Sequence, residues 1–91
     1  MNFKLDDKKE PVVLFEPNWD ILKETLLVEH CKNFMYMASY VLVDDTVIHT
    51  FKHSLYRSYL NLSNDGRTWR HIDSGYEQID KKIAILKALR G

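Results

Sequence analysis

The segment from residue 56 to residue 72 constrains the fold most strongly. Residues 59–63 and 68–72 are two runs of strand-forming composition, and an Asn-Asp-Gly-Arg sequence at 64–67 separates them. Asn and Asp before a glycine tolerate the positive φ of a tight turn, so a short loop of this composition joins antiparallel strands. The sequence therefore predicts a β-hairpin in this segment.

Two further strand-like runs precede the hairpin. Residues 36–43 are rich in aromatic and β-branched side chains, the Asp44-Asp45 pair is a turn signal, and residues 46–53 alternate between polar and apolar side chains. Together with the hairpin, these runs predict an antiparallel sheet of three or four strands. Residues 46–63 fit either one bent strand or two separate strands.

A first helix is predicted over residues 18–33. Asn18 has a side chain that caps a helix N-terminus, and Trp19, Leu22 and Leu26 recur at helical spacing after it. The apolar arc of this helix is wide enough to be buried against a sheet.

A second helix is predicted over residues 75–90. Ser74 and Glu77 match a capping box, in which the serine oxygen accepts a backbone hydrogen bond and the glutamate reaches back. The apolar residues that follow at intervals of three and four are Tyr76, Ile79, Ile83 and Leu86. Lys87 and Arg90 favour the negative C-terminal end of the helix dipole.

These elements predict a two-layer α+β domain in which both helices pack on one face of the antiparallel sheet. A chain of 91 residues with 45% hydrophobic composition fits one small core. Residues 1–10 are charged and aperiodic, so we expect them to form a flexible arm and residues 11–91 to form the single domain. The apolar run at 11–15 begins with proline and fits a short edge strand.

Cysteine content and hydropathy predict the compartment. Cys31 is the sole cysteine, which excludes an internal disulfide framework and fits a reducing, cytoplasmic setting. The N-terminus lacks the apolar core of a signal peptide, and no stretch approaches the ~20 apolar residues of a membrane span. We therefore expect a cytoplasmic protein that does not enter the membrane.

The formal charge is zero but unevenly distributed. Residues 1–45 carry five lysines against nine acidic residues, whereas residues 46–91 carry eight basic residues against four acidic ones. A basic half attracts anionic partners, but the two halves can also neutralise each other in the folded domain.

No catalytic, metal-binding or cofactor motif stands out. His49 and His53 would lie about 13 Å apart along a strand, too far for one metal ion. His30 and Cys31 are adjacent and would point about 100° apart on a helix, and Cys31 falls on the apolar arc, which favours an inert buried thiol. We therefore expect no enzymatic activity, no metal site and no cofactor.

The candidate binding residues lie in and around the hairpin. They are Tyr56, Arg57, Tyr59, Arg67, Trp69, Arg70 and His71. Aromatic and arginine side chains together are typical of protein-binding hot spots, so we expect a small adaptor, inhibitor or regulator that contacts a protein partner. The alternative is an RNA- or DNA-binding module that uses this basic, aromatic sheet face and the C-terminal helix. Trp69 and Tyr59 also fit a structural role as cross-strand partners, and the sequence is compatible with a homo-oligomer.

The predicted α-β-β-β-α order over residues 18–90 resembles the double-stranded-RNA-binding domain. Its last helix contains the run Asp80-Lys81-Lys82-Ile83-Ala84, with bulky aliphatic residues after it. In that family a serine-lysine-lysine run opens the helix, and small alanines follow. The resemblance implies an RNA ligand, in agreement with the alternative function.

Overall fold

A computed structural model of the chain describes residues 11–12 and 17–90, and the predicted arm at residues 1–10 lies outside this part. The elements are β1 (Pro11–Val12), α1 (Trp19–Thr25), α2 (Val28–Cys31), β2 (Phe34–Val41), β3 (Val47–His53), β4 (Tyr59–Ser63), β5 (Thr68–Ile72), β6 (Gly75–Ile79) and α3 (Lys81–Arg90). The strands form one sheet in the order β1-β2-β3-β4-β5-β6, and each is antiparallel to its neighbour. The protein is therefore an α+β domain with a meandering antiparallel sheet.

The predicted hairpin is confirmed, with β4 and β5 spanning the two runs proposed for it. Gly66 has φ +87° at its turn, where a residue with a side chain would be strained. The backbone N–H of Gly66 donates to the Ser63 carbonyl at 2.9 Å, which closes the turn. Local turn chemistry was sufficient to place both strands.

The prediction of three or four strands is too low. Five strands have five to eight residues each, and the two-residue β1 pairs with β2. Residues 46–63 form two separate strands, because the chain turns after His53, whose Nδ1 accepts from the backbone N–H groups of Leu55 and Tyr56 at 3.1 and 3.0 Å. Because of the extra strands, the observed order of elements differs from the α-β-β-β-α order on which the resemblance to the RNA-binding domain depends.

The predicted second helix is wrong in its first third. Residues 75–79 are β6, which pairs with β5 from Ile72↔Gly75 to Thr68↔Ile79. Helix α3 starts at Lys81, and its cap is Asp80, whose Oδ2 accepts from the Ile83 N–H at 3.2 Å. The capping box at Ser74 does not form, because pairing with β5 holds that segment in an extended conformation.

The predicted first helix is divided. Asn18 caps α1 as expected, and its side chain accepts from the Ile21 N–H at 3.2 Å. The helix ends at Thr25, whose hydroxyl donates to the Ile21 carbonyl at 2.7 Å, and Leu26 is extended with φ −119° and ψ 154°. The break buries Leu26 and separates α1 from the single turn of α2.

Helices α1 and α3 share a hydrophobic core with one face of the sheet. A core cluster joins residues of α1 and α3 to buried strand residues: Ile21, Leu22, Leu26, Phe34, Phe51, Leu60, Leu62, Ala84 and Ala88. Side chains alternate along each strand, so the neighbours Thr50, Asn61 and Trp69 point to the opposite face. We call the side of the sheet that carries Thr50, Asn61 and Trp69 the cavity face, because a cavity lies there. None of the helices in the described ranges is long and apolar enough to span a membrane.

Candidate functional site

A cavity of about 580 Å³ opens on the cavity face. Its residues come from five strands and the last helix. They are Met37, Ala38, Tyr40, Thr50, Tyr59, Asn61, Trp69, Arg70, His71, Tyr76, Ile79, Ala84 and Lys87. Volumes of 300–1,000 Å³ with mainly apolar and aromatic walls are typical of small-molecule and cofactor sites.

Curvature of the sheet produces one side of the cavity. The rings of Tyr40 on β2 and Tyr76 on β6 lie 5.8 Å apart, although three strands separate β2 from β6 in the sheet. A second core cluster, formed by Leu42, Ile48, Trp69 and Tyr76, packs on this concave side. The described strands therefore bury part of the cavity face without help from a helix.

Divergence of β4 from β5 produces the other side. These two strands pair only at Asn61↔Trp69 and Leu62↔Thr68, so they separate beyond Asn61. Residues Ala84 and Lys87 of α3 line the cavity beside this gap. The Asn61 Nδ2 donates to the Trp69 carbonyl at 3.2 Å, which links the strands where they begin to diverge.

Two buried polar side chains line the interior of the cavity, and they differ in their hydrogen bonding. Thr50 is satisfied, because its Oγ1 donates to the Ala38 carbonyl at 2.8 Å and accepts from the Ala38 N–H at 3.1 Å. Asn61 is 4% exposed, and its Oδ1 accepts no hydrogen bond from any residue that the structure describes. A buried acceptor without a partner is uncommon in folded proteins and points to a partner other than the described residues.

The exposed margin of the cavity is basic. It includes Arg70, His71 and Lys87, and none of the described lining residues is acidic. Arg70 forms an ion pair with Glu77, whereas Lys87 forms none within residues 17–90. Burial, with smaller effects of the nearby Tyr40 and Tyr59, raises the pKa of Tyr76, so its phenol stays neutral at physiological pH. The margin therefore favours an anionic group.

Four of the seven predicted binding residues line the cavity. Tyr59, Arg70 and His71 are exposed at its margin, whereas Trp69 is only 2% exposed and its Nε1 donates to the Ser63 Oγ at 3.0 Å. The structure therefore brings these four residues together, but Trp69 is mainly a core side chain.

The other three predicted residues lie in turns. The Arg67 guanidinium lies 4.9 Å from the centroid of the Trp69 ring and pairs with Asp65 at 2.7 Å. Tyr56 stacks on His53 with ring centroids 4.5 Å apart. Arg57, with φ 64°, completes the turn between β3 and β4. These residues do not line the cavity.

Sequence reasoning missed Asn61 and Thr50. Both lie in strands that alternate between polar and apolar residues, and polar positions in such strands usually face solvent. Lys87 was predicted to favour the helix C-terminus and, as part of the C-terminal helix, to contact RNA or DNA in the alternative function. A signal for Asn61 existed, because Asn is uncommon inside a strand, but it did not indicate burial.

A serine–histidine pair occurs on the helix face. The Ser39 Oγ lies 2.8 Å from the His49 Nδ1, and the His49 Nε2 lies 2.6 Å from the Asn64 Oδ1. Tyr36 OH lies 2.7 Å from the Ser39 Oγ and extends this chain of hydrogen bonds. Ser39 is 0% exposed, so its hydroxyl is inaccessible to a substrate in this conformation.

The remaining candidate residues are engaged in the fold. His49 and His53 are both buried, and no group of three or more potential metal ligands occurs among the described residues. Burial raises the pKa of the Cys31 thiol despite the opposing charge of Lys23, and the Sγ donates to the Leu22 and Leu26 carbonyls. A neutral thiol is a poor nucleophile.

No protein-family model, curated protein or solved structure matches this chain.

Proposed function

We propose that this protein is a small, non-enzymatic binding protein, an adaptor, inhibitor or regulator that contacts a protein partner through its cavity face. The observation that carries the proposal is a row of neighbouring side chains beside the cavity. Met35 pairs across the sheet with Lys52, and Lys52 pairs with Tyr59. Met35 is 43% exposed and Tyr59 is 46% exposed, and the Lys52 Nζ lies 5.6 Å from the centroid of the Tyr59 ring.

The composition of this surface suits a protein interface. Met37 is also exposed and joins the row to the cavity. Tyr, Met and Arg are enriched at protein–protein interfaces, and methionine side chains adapt to different partner shapes. Tyr59 combines an exposed ring with a neighbouring cation, which is the arrangement of an interface anchor.

The non-enzymatic part of the proposal has separate support. A nucleophile needs both an activating base and access to its substrate. Ser39 has a histidine partner but no exposed surface, and Cys31 has a pKa raised by burial. The single, partly buried cysteine also fits the cytoplasmic setting that we propose for this protein.

The nucleic-acid alternative has weaker support. Phosphate binding needs cations that are free to neutralise the backbone. Arg67 pairs with Asp65, and Arg70 pairs with Glu77, so two of the predicted phosphate-binding side chains already have carboxylate partners. The observation that favours this alternative is the Lys52 Nζ beside the Tyr59 ring, since a cation next to an aromatic ring can contact both a phosphate and a base.

Affinity capture from a cell lysate, with the purified, tagged protein as bait, tests the proposal. We expect a partner that survives nuclease treatment and is lost from a Met35→Ser/Tyr59→Ala double variant. Val28→Ser is the matched control, because Val28 is 77% exposed on α2 and lies outside the cavity face. Steep loss of binding with salt together with loss on nuclease treatment would support nucleic acid instead. Equal capture by wild type and double variant would refute this interface.

A further inference from the structure

The cavity is larger than a single anchor side chain requires. Its volume of about 580 Å³ falls within the range of small-molecule sites. Tyr40, Tyr59, Trp69 and Tyr76 contribute aromatic surface to its walls. Aromatic walls favour a flat, apolar ligand, because aromatic rings gain energy from stacked or edge-to-face contact in addition to burial.

The buried amide of Asn61 specifies a polar feature of that ligand. Its Nδ2 donates to the Trp69 carbonyl, which fixes the orientation of the amide and leaves Oδ1 as the group without a partner among the described residues. An amide oxygen only accepts hydrogen bonds, so the matching ligand group carries an N–H or O–H. Thr50, the cross-strand neighbour of Asn61, needs no such partner, since Ala38 satisfies its hydroxyl.

The cavity margin specifies the charge of the ligand. Arg70 and Lys87 are basic side chains at this margin, and no acidic side chain is found among the described lining residues. Within residues 17–90 no carboxylate pairs with Lys87, so none of these residues competes with an external anion for its ammonium group. A carboxylate at this margin gains attraction without displacing an internal ion pair.

We propose that the cavity binds a free small aromatic acid, whose ring packs against the aromatic side chains of the cavity walls. The Asn61 Oδ1 is buried in this conformation, so neighbouring side chains move aside when a ring N–H or O–H of the acid donates to it. The carboxylate of the acid meets Lys87 at the margin. This site is additional to the partner surface proposed above. Its test uses the purified protein without a partner, so the two proposals succeed or fail separately.

Titration of the isotopically labelled protein with indole-3-acetate, followed by NMR, tests the proposal. We expect saturable shifts at the amides of cavity residues. The probe 1-methylindole-3-acetate has the same ring and carboxylate but no N–H, and we expect it to bind at least about tenfold more weakly. In Asn61→Leu, both probes should bind with similar affinity, because the acceptor that distinguishes them is absent.

The charge requirement has its own control. Lys87→Ala should weaken binding of indole-3-acetate several-fold and weaken binding of the neutral indole-3-acetamide much less, because the acetamide carries no charge. Lys82→Ala is the matched variant, because Lys82 is exposed on the same helix and does not line the cavity. It should behave as wild type.

Three outcomes would overturn the proposal. The first is no saturable shift at cavity residues up to about 10 mM probe, the range in which fragment-sized ligands bind. The second is equal affinity for the methylated and unmethylated probes. The third is N–H-dependent binding of an acidic tryptophan-containing peptide without binding of the free acid, which would make the cavity a pocket for a partner's side chain.

Discussion

Replacement of the two neighbouring polar side chains in the cavity should change stability in different ways. Thr50→Val keeps the shape of the side chain but removes both hydrogen bonds to Ala38. Each such bond contributes roughly 0.5–1.5 kcal/mol, so the free energy of unfolding should fall by about 2 kcal/mol.

Asn61→Leu should not cause a comparable loss. It removes one hydrogen bond, to the Trp69 carbonyl, which is worth about 1 kcal/mol. It also removes a buried oxygen without a partner among the described residues, whose desolvation costs about 1–3 kcal/mol, and it adds apolar burial. The variant should therefore equal the wild type or exceed it by up to about 2 kcal/mol.

Urea denaturation and calorimetry of both variants measure this difference. For a domain of this size, 1 kcal/mol corresponds to about 5 °C, so Thr50→Val should melt about 10 °C below wild type while Asn61→Leu does not fall. A more stable variant that loses binding is the signature of a polar group retained for function. If Asn61→Leu is as unstable as Thr50→Val, the Asn61 oxygen already has a structural partner in the folded protein, and this outcome would contradict a ligand that donates to it.

Three other predictions concern packing, capping and pH. Phe51→Ala should reduce stability in urea by about 3–5 kcal/mol, because Phe51 is fully buried between the sheet and the helices; a loss under 1 kcal/mol would contradict that packing. Asp80→Ala should lower the free energy of unfolding by about 1 kcal/mol, because Asp80 caps the N-terminus of α3. Ser74→Ala should change it by less than about 0.5 kcal/mol, and a larger loss for Ser74→Ala than for Asp80→Ala would show that Ser74 is the cap. Because burial raises the pKa of Tyr76, unfolded protein loses that proton first, so stability should fall as pH rises above about 10; Tyr76→Phe should reduce this loss, and an unchanged pH profile would refute it.

Elements with strong local signals were predictable. The strands around the turn at residues 64–67 were predicted with their observed bounds, because the glycine at positive φ and the composition of both runs favour the same hairpin. Asn18 was predicted as a cap for the same reason, since a cap depends only on the next three residues.

Elements with ambiguous periodicity were not predictable. Tyr76 and Ile79 fit a helical spacing of three, yet they lie in β6, which pairs with β5. Ser74 and Glu77 match the capping-box pattern, but pairing between β6 and β5 holds this segment as a strand, so no helix begins there. The division of the first helix at Leu26 likewise follows from burial of that side chain in the core.

The candidate site shows the same division. Tyr59, Trp69, Arg70 and His71 were predicted because aromatic and basic residues are conspicuous in the hairpin. Asn61 was missed, because an asparagine in an alternating strand gives no sign that its amide oxygen will be buried without a partner among the described residues.

The sequence by itself determined the α+β class, the central hairpin, one helix cap and the aromatic and basic character of one region. These properties depend on residues close together in the chain. Only the tertiary structure decided that β2 approaches β6, that β4 and β5 diverge, and that α3 lines the resulting gap. The cavity depends on contacts between residues far apart in the chain, and such contacts are set by curvature and packing of the whole sheet rather than by local preference.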